Sequence, residues 1–216
     1  MESRRSSLPN IREQAYELAY RLACEQLASM DIEELCRKTG AQPMNSSKII
    51  VEYLNRRYLV TLLNGEIALC DDDKEVPLKD KILILHYLTS AQGTPLTNKL
   101  ITFKQLPGCA SYFPVFSQLT ITPLLNHFGK EPELLMASVA KLGGRKAGYG
   151  DVSVTINAFP RVPVTIALWR GDDEFPPRGS IIFDSSISDY LSAEDIRDLC
   201  ATIVRKLIKG LPYFPQ

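Results

Sequence analysis

The chain has 216 residues, with Lys+Arg and Asp+Glu both at 25, so its formal net charge is zero. Hydrophobic residues make up 45% and charged residues 23%, enough apolar surface for a core, which excludes disorder as the main state. The charge balance argues against a nucleic-acid footprint and against a polybasic membrane arm. No run approaches the roughly 20 apolar residues that cross a bilayer. The start, Met1-Glu2-Ser3-Arg4-Arg5, has no apolar segment after it, so no secretory signal is expected and the default compartment is the cytoplasm. The five cysteines, Cys24, Cys36, Cys70, Cys109 and Cys200, show no C-x-x-C spacing, so zinc ribbons, thiol redox motifs and cysteine-held clusters lack support.

In chain order, residues 1–9 read as a loose arm. Asn10 with Glu13 looks like a capping box. After it Ile11, Ala15, Leu18, Leu22, Ala23 and Leu27 recur at helical spacing, predicting an amphipathic helix over 11–29. Asp31 with Glu34 opens a second helix and Gly40 closes it. The period then changes to two. Ile49, Val51 and Tyr53, then Tyr58, Val60 and Leu62, then Ile67 and Leu69 predict a three-stranded antiparallel meander over 48–70, with Asn64-Gly65 as its hairpin signal. Pro77 opens a helix whose buried side is Ile82, Leu85 and Leu88 with Leu78. Residues 99–103 predict a short strand. Two helices follow near 112–128 and 131–142. Residues 143–150, with four glycines, form a connector. Strands are expected at 152–158, 162–169 and 180–183. Ser192 with Asp195 caps a last helix over 193–208, followed by the tail Leu211 to Pro215.

The fold class is therefore α+β: N-terminal helices, an antiparallel meander, central helices, a second antiparallel strand group and a C-terminal helix. Residues 10–216 read as a single domain, with two lobes, 10–92 and 93–216, as the alternative. No internal repeat is present.

Chemistry-bearing residues are few. The glycine loop with Arg145 and Lys146 can cradle an anion, yet it lacks the terminal G-K-[ST] of a P-loop, and a helix precedes it and a strand follows, the reverse of a dinucleotide fingerprint. A plain connector is the bland reading. Asp172, Asp173, Glu174 and Asp184 offer oxygens for Mg²⁺ or Ca²⁺ without any recognised spacing, and acidic turns are common. There are two histidines. His86 lies on an apolar helix and reads either as a hydrogen-bonded, half-buried histidine or as an axial ligand or proton carrier at a cofactor. His127 sits at a helix end, where its ring suits the helix dipole. Trp169 reads as core. Phe103, Tyr112, Phe113 and Phe116 around Gly108-Cys109 can line an apolar cavity. No nucleophile elbow or Cys/His arrangement is present.

The C-terminal half is distinctive as a string. Gly150-Asp151-Val152-Ser153-Val154 is followed by Ala158-Phe159-Pro160-Arg161-Val162-Pro163-Val164, Leu168-Trp169, Asp173-Glu174-Phe175-Pro176 and Ile182-Phe183-Asp184-Ser185-Ser186. Tyr190-Leu191 and Glu194-Asp195-Ile196 complete it. With His86-Tyr87-Leu88, Gly93-Thr94-Pro95, Phe103 and Leu106-Pro107-Gly108, the chain over about residues 75–208 resembles a domain-of-unknown-function family, DUF3786, of anaerobic bacteria and archaea. The resemblance implies a soluble partner of corrinoid and one-carbon metabolism, beside or fused to iron–sulfur domains in some members. It implies a cobalamin-binding or carrier protein more than an enzyme. This chain has no cysteine quartet for an iron–sulfur domain. It also lacks the Asp-x-His-x-x-Gly signature of flavodoxin-like corrinoid domains, so His86 or His127, or no protein group, serves as the axial ligand.

A corrin is a broad apolar disc fringed with amides, which needs aliphatic walls and close backbone. The candidate cleft is formed by Phe103, Gly108, Tyr112 and Phe113 on one loop and Gly144, Arg145, Lys146, Gly148 and Tyr149 on the other, with Arg145 or Lys146 meeting the nucleotide phosphate. Two other readings stand beside it. One is an interaction module docking on a redox or methyl-transfer enzyme through Pro-rich segments such as Phe175-Pro176-Pro177 and Pro212 to Pro215. The other is a small-molecule enzyme using Asp151, Glu174 and Asp184.

Overall fold

The computed structural model describes residues 11–211. The arm at 1–9, Asn10 of the first capping box and the tail from 212 lie outside the described residues. Helix α1 (Ile11–Ala28) leads into α2 (Ile32–Thr39). The ends of α2 are set by side-chain and backbone chemistry. Asp31 accepts the Glu34 N–H at 2.8 Å, and Gly40 takes a left-handed φ of 75° while its N–H returns to the Cys36 carbonyl; this stops a helix at low steric cost. The buried face of α1 is not the expected one. Leu18 and Leu22 are exposed (47% and 53%), whereas Ala23 and Leu27 are buried and Tyr20 and Cys24 pack beside them. The Tyr20 hydroxyl donates to the Gly65 carbonyl at 3.0 Å, so an amphipathic tyrosine outcompetes leucine for the inner face.

The first sheet has four antiparallel strands in chain order: β1 (Gln42–Asn45), β2 (Lys48–Tyr53), β3 (Arg56–Thr61) and β4 (Ile67–Leu69). The expected meander thus gains an edge strand. All four residues of β1 are exposed, so no alternation marks it, and Pro43 is tolerated because the strand is an edge. A two-residue turn joins β2 to β3. Leu54 and Asn55 both have positive φ (49° and 62°) between the paired Tyr53 and Arg56, the backbone of a two-residue hairpin. Asn64-Gly65 lies in a longer connection in which Gly65 is left-handed. A Cβ at Gly65 would run into the Cys24 side chain, so helix packing requires glycine there as much as the turn does.

Helix α3 (Leu78–Ser90) follows Pro77. Ile82, Leu83, Ile84, Leu85, Tyr87 and Leu88 are all buried, so apolar contact surrounds it nearly on every side. Beyond it come β5 (Leu100–Thr102), α4 (Phe113–Leu119), α5 (Ile121–Phe128), α6 (Leu134–Val139), β6 (Arg145–Lys146), β7 (Val152–Phe159), β8 (Val162–Trp169), β9 (Arg178–Asp184) and α7 (Ala193–Lys209). The helix expected over 112–128 is two helices. The break falls at buried Thr120, whose backbone leaves the helical region (φ −128°, ψ −67°) while its hydroxyl donates to the Phe116 carbonyl at 2.7 Å. The second sheet is antiparallel throughout, in the order β5-β9-β8-β7-β6.

The two sheets share one continuous cluster of buried side chains. At its centre is a column of rings. Tyr53 of β2 stacks on Phe159 of β7 (centroids 4.8 Å), Phe159 on Tyr87 of α3 (4.1 Å), and Tyr87 on Tyr190 (5.9 Å). Beside it the Leu54 N–H donates to the Ala158 carbonyl at 3.0 Å, a main-chain link between the sheets. The column makes a strong prediction. Phe159→Ala should cost about 3–5 kcal/mol, read as a lowered midpoint in urea unfolding at unchanged slope. A loss below about 1 kcal/mol would show that the sheets are joined elsewhere.

Candidate functional site

The residues expected to form one corrinoid cleft are not brought together. The strand β5, which feeds the 103–113 loop, and the strand β6, inside the 143–150 loop, are the two edges of the second sheet. Four strand spacings separate them, about 19 Å. A cleft shared by these loops would have to span the width of that sheet. Phe103 is buried and stacks on Phe116 at 4.1 Å, so it belongs to the core. Gly108 has φ 72° with open space around it. Tyr112 is 66% exposed, and the Lys104 ammonium sits 4.1 Å over the Phe113 ring. A Cβ on Gly144 would run into Val139, so this glycine serves packing against α6. Arg145 and Lys146 pair with Thr155 and Val154 and are exposed. Gly148 faces open space. The Tyr149 N–H donates to Ser153 Oγ at 2.9 Å. His127 is exposed and its Nδ1 donates to the Pro123 carbonyl at 2.8 Å, a helix-end contact.

The carboxylates are dispersed as well. Asp184, at the far end of β9 from Arg178, accepts the backbone N–H groups of Thr97, Asn98 and Ser186 and the Thr97 hydroxyl, at 2.7 to 3.0 Å. Burial pushes its pKa up, but the hydrogen bonds from Ser186 and Thr97 prevail and hold it down at about 2. It is a clamp on the 94–98 loop. Asp151 accepts the Arg170 N–H at 2.8 Å, near the opposite end of the sheet, where Trp169 pairs with Arg178. Asp172 caps its own turn through Glu174 and Phe175 N–H groups. Among the described residues no three of His, Cys, Asp and Glu converge as a metal-ligand set.

His86 is different. Its Nδ1 lies 2.7 Å from Asp195 Oδ1. Ser192 donates to Asp195 Oδ2 at 2.6 Å, and Ser192 Oγ accepts the Asp195 N–H at 3.1 Å. The local sequence dictates this. Ser192 is the N-cap of α7 and Asp195 is the third helical residue, so the cap alone fixes the carboxylate. His86, one turn before the end of α3, then docks on it from 109 residues away. The arrangement is not a hydrolase triad, because the serine binds the carboxylate and not the imidazole. It fixes the ring instead. In the neutral form Nδ1 carries the proton toward Asp195, which leaves the lone pair on Nε2. The side chain is 29% exposed, so the half-buried reading of His86 is the structural fact. The hydrogen bond to Asp195 raises its pKa above the ordinary imidazole value, burial opposes this, and the charges of Asp195 and Glu194 add to the rise.

The surface beside His86 is partly apolar. The Lys79 ammonium lies over the Tyr16 ring at 5.2 Å and Gln26 Nε2 donates to the Thr89 carbonyl at 3.3 Å, so α1 runs parallel to α3 in constant register. That register sets exposed Leu22 level with Leu85. Two clefts are also present, one of about 380 Å³ lined by Glu52, Asn55, Arg56, Arg57, Leu69 and Asp71 and one of about 260 Å³ between the β2–β3 hairpin and the end of α7. Neither was legible beforehand; the second is assembled from three distant segments with no shared motif.

Taken together, the fold is a two-sheet α+β domain that holds one oriented, half-buried histidine. Residues 31–206 match the family model described as Domain of unknown function (DUF3786), and the chain belongs to that family. No curated protein and no solved structure matches it. No helix among the described residues is long and apolar enough to cross a membrane.

The His86–Asp195 contact predicts a pH dependence. A histidine whose folded pKa is raised contributes its full stabilisation below the unfolded value of about 6.5, and loses it as pH rises through the folded value. The melting temperature should therefore fall as pH rises past about 6.5, and Asp195→Asn should remove most of that slope. An unchanged slope in the variant would show that other groups set it.

Proposed function

We propose that the chain is a non-catalytic corrinoid-binding carrier, with His86 Nε2 directed to cobalt. The observation that carries this reading is the Ser192–Asp195–His86 chain. A metal-binding histidine commonly donates its other ring N–H to a carboxylate, which fixes tautomer and orientation and raises ligand basicity. This chain supplies that arrangement from two helices, without the Asp-x-His-x-x-Gly segment of other corrinoid domains. The family resemblance supports the same class of ligand. A corrin carries its own four equatorial nitrogens, so a single protein ligand suffices and no ligand cluster is required. Both clefts are small for a corrin, since drug-sized ligands alone fill about 300–1,000 Å³. The reading therefore places the disc against the open surface around His86, with Leu18 and Leu22 of α1 as apolar wall, and not between the 103–113 and 143–150 loops. A corrinoid held there supplies a cobalt centre able to carry a methyl group; the chain's own residues bind and orient it. Asp195 keeps the Nδ1 proton, and Ser192 keeps Asp195 in place.

A second reading, docking on a redox or methyl-transfer enzyme, is favoured by the apolar stripe on α4. Tyr112, Val115 and Leu119 follow helical spacing and are 46–66% exposed. It is compatible with the first, since a carrier must meet an enzyme. No observation gathers Asp151, Glu174 and Asp184 into an enzyme site.

Purified protein incubated with hydroxocobalamin and desalted tests the proposal. Retained colour and a shifted visible spectrum are expected, with binding strengthening as pH rises because ligation displaces the Nε2 proton. His86→Ala should lose the spectral shift, and His127→Ala should keep it. Colourless eluate, or an unchanged shift in His86→Ala, overturns the assignment.

A further inference from the structure

The smaller cleft has a composition that its surroundings do not explain. Its floor is apolar: Leu54, Tyr58 and Leu142 are 3%, 4% and 7% exposed. Its rim carries Arg56, Lys141, Lys206 and Lys209, and no carboxylate lines it. Two acidic groups reach these cations from outside. Asp80, itself buried and bonded to the Tyr53 hydroxyl at 3.2 Å, holds Lys206 at 3.4 Å, and Asp72 holds Arg56 at 3.0 Å on the solvent side. Lys141 and Lys209 make no ion pair among the described residues. Four cations against two anions leave two positive charges around a space of about 260 Å³. The larger cleft differs here: Glu52 and Asp71 lie among its lining, and Arg57 pairs with Asp71 at 3.1 Å.

The dipole of α7 accounts for Lys206 and Lys209, which sit in its last turn and favour its carbonyl end. It does not account for Arg56, which comes from the hairpin, for Lys141, which comes from the turn after α6, or for the apolar floor. The floor residue Leu54 belongs to the two-residue β2–β3 hairpin turn. Leu54 is left-handed (φ 49°), which disfavours a residue with a Cβ. Its buried side chain stays in the floor while its N–H binds the Ala158 carbonyl. Like charges around a small cleft repel, and a bound dianion relieves that.

We propose that this cleft binds a small organic phosphate monoester, with the dianion on Lys141, Lys206, Lys209 and Arg56 and the apolar part on Leu54, Tyr58 and Leu142. A phosphate monoester carries close to two negative charges at neutral pH, which matches the unpaired charge. The volume excludes a dinucleotide and a corrin. The Tyr58 hydroxyl stays a neutral donor at the floor, because burial, with Asp80 nearby, pushes its pKa up to about 12. This site is separate from His86: Asp80 and His86 mark different turns of α3, facing different ends of α7.

Calorimetric titration with phenyl phosphate and with inorganic phosphate tests the proposal. Phenyl phosphate should saturate with a Kd below about 1 mM, several-fold tighter than inorganic phosphate. Lys141→Gln and Lys209→Gln should each weaken it by about tenfold. Both side chains are exposed, so an unchanged melting temperature is expected and verifies that each variant folds. Lys130→Gln, outside the cleft lining, should bind as the parent does. Three results overturn the proposal: no saturation by about 10 mM phenyl phosphate, equal affinity for the two phosphates, or parental affinity in both lysine variants. Hydroxocobalamin binding should be unaffected by either variant, so failure here leaves the His86 reading intact, and the converse also holds.

Discussion

Burial of α3 on nearly every side is the constraint from which the rest follows. A helix whose Ile82 to Leu85, Tyr87 and Leu88 are all covered leaves little room for its polar side chains. Two of its polar groups, Asp80 and His86, find partners on α7: Lys206 for Asp80 and Asp195 for His86. The two contacts fasten the ends of one helix–helix seam, and the ring column of Tyr53, Phe159, Tyr87 and Tyr190 fastens α3 to both sheets. Removing one partner of such a pair leaves a half-buried charge without compensation, which is costlier than never having the pair.

The same seam makes both candidate sites. Fixing α7 by its N-terminal cap presents Asp195 to His86 and orients the imidazole. Fixing its last turn through Lys206 and Asp80 brings Lys209 and Gly210 against the β2–β3 hairpin and closes the cationic cleft. The zero net charge of the whole chain hides this local excess. Neutrality of the sum describes solubility and long-range fields; it says little about a cleft where four cations meet two carboxylates.

Much of the fold was legible because its signals are local. Asp31 with Glu34, Gly40, Pro77 and Ser192 with Asp195 announce helix ends through short-range hydrogen bonds, and the alternation of Ile49 to Leu69 announces strands. What escaped was what locality does not carry. The exposed strand β1 has no alternation. Thr120 interrupts a helix by leaving the helical backbone region, and no glycine or proline at that position announces it. The 103–113 and 143–150 loops look alike as glycine-bearing loops, yet sheet order sends them to opposite edges. Ser192 and Asp195 read as a helix cap and are one, but nothing nearby in sequence tells that the same carboxylate receives His86. The α4 stripe and the cleft lysines likewise acquire meaning only from which elements cover them.

Whether His86 reaches cobalt decides the role proposed for it. Electron paramagnetic resonance of protein loaded with cob(II)alamin reads the axial nitrogen directly, through the hyperfine splitting that nucleus imposes on the unpaired electron. With ¹⁴N present, each cobalt line is split in three. Protein labelled with ¹⁵N only in histidine should convert each triplet to a doublet, and His86→Ala should abolish the conversion. Triplets that persist in the labelled protein would place the cofactor's own base on cobalt and contradict the role given to His86.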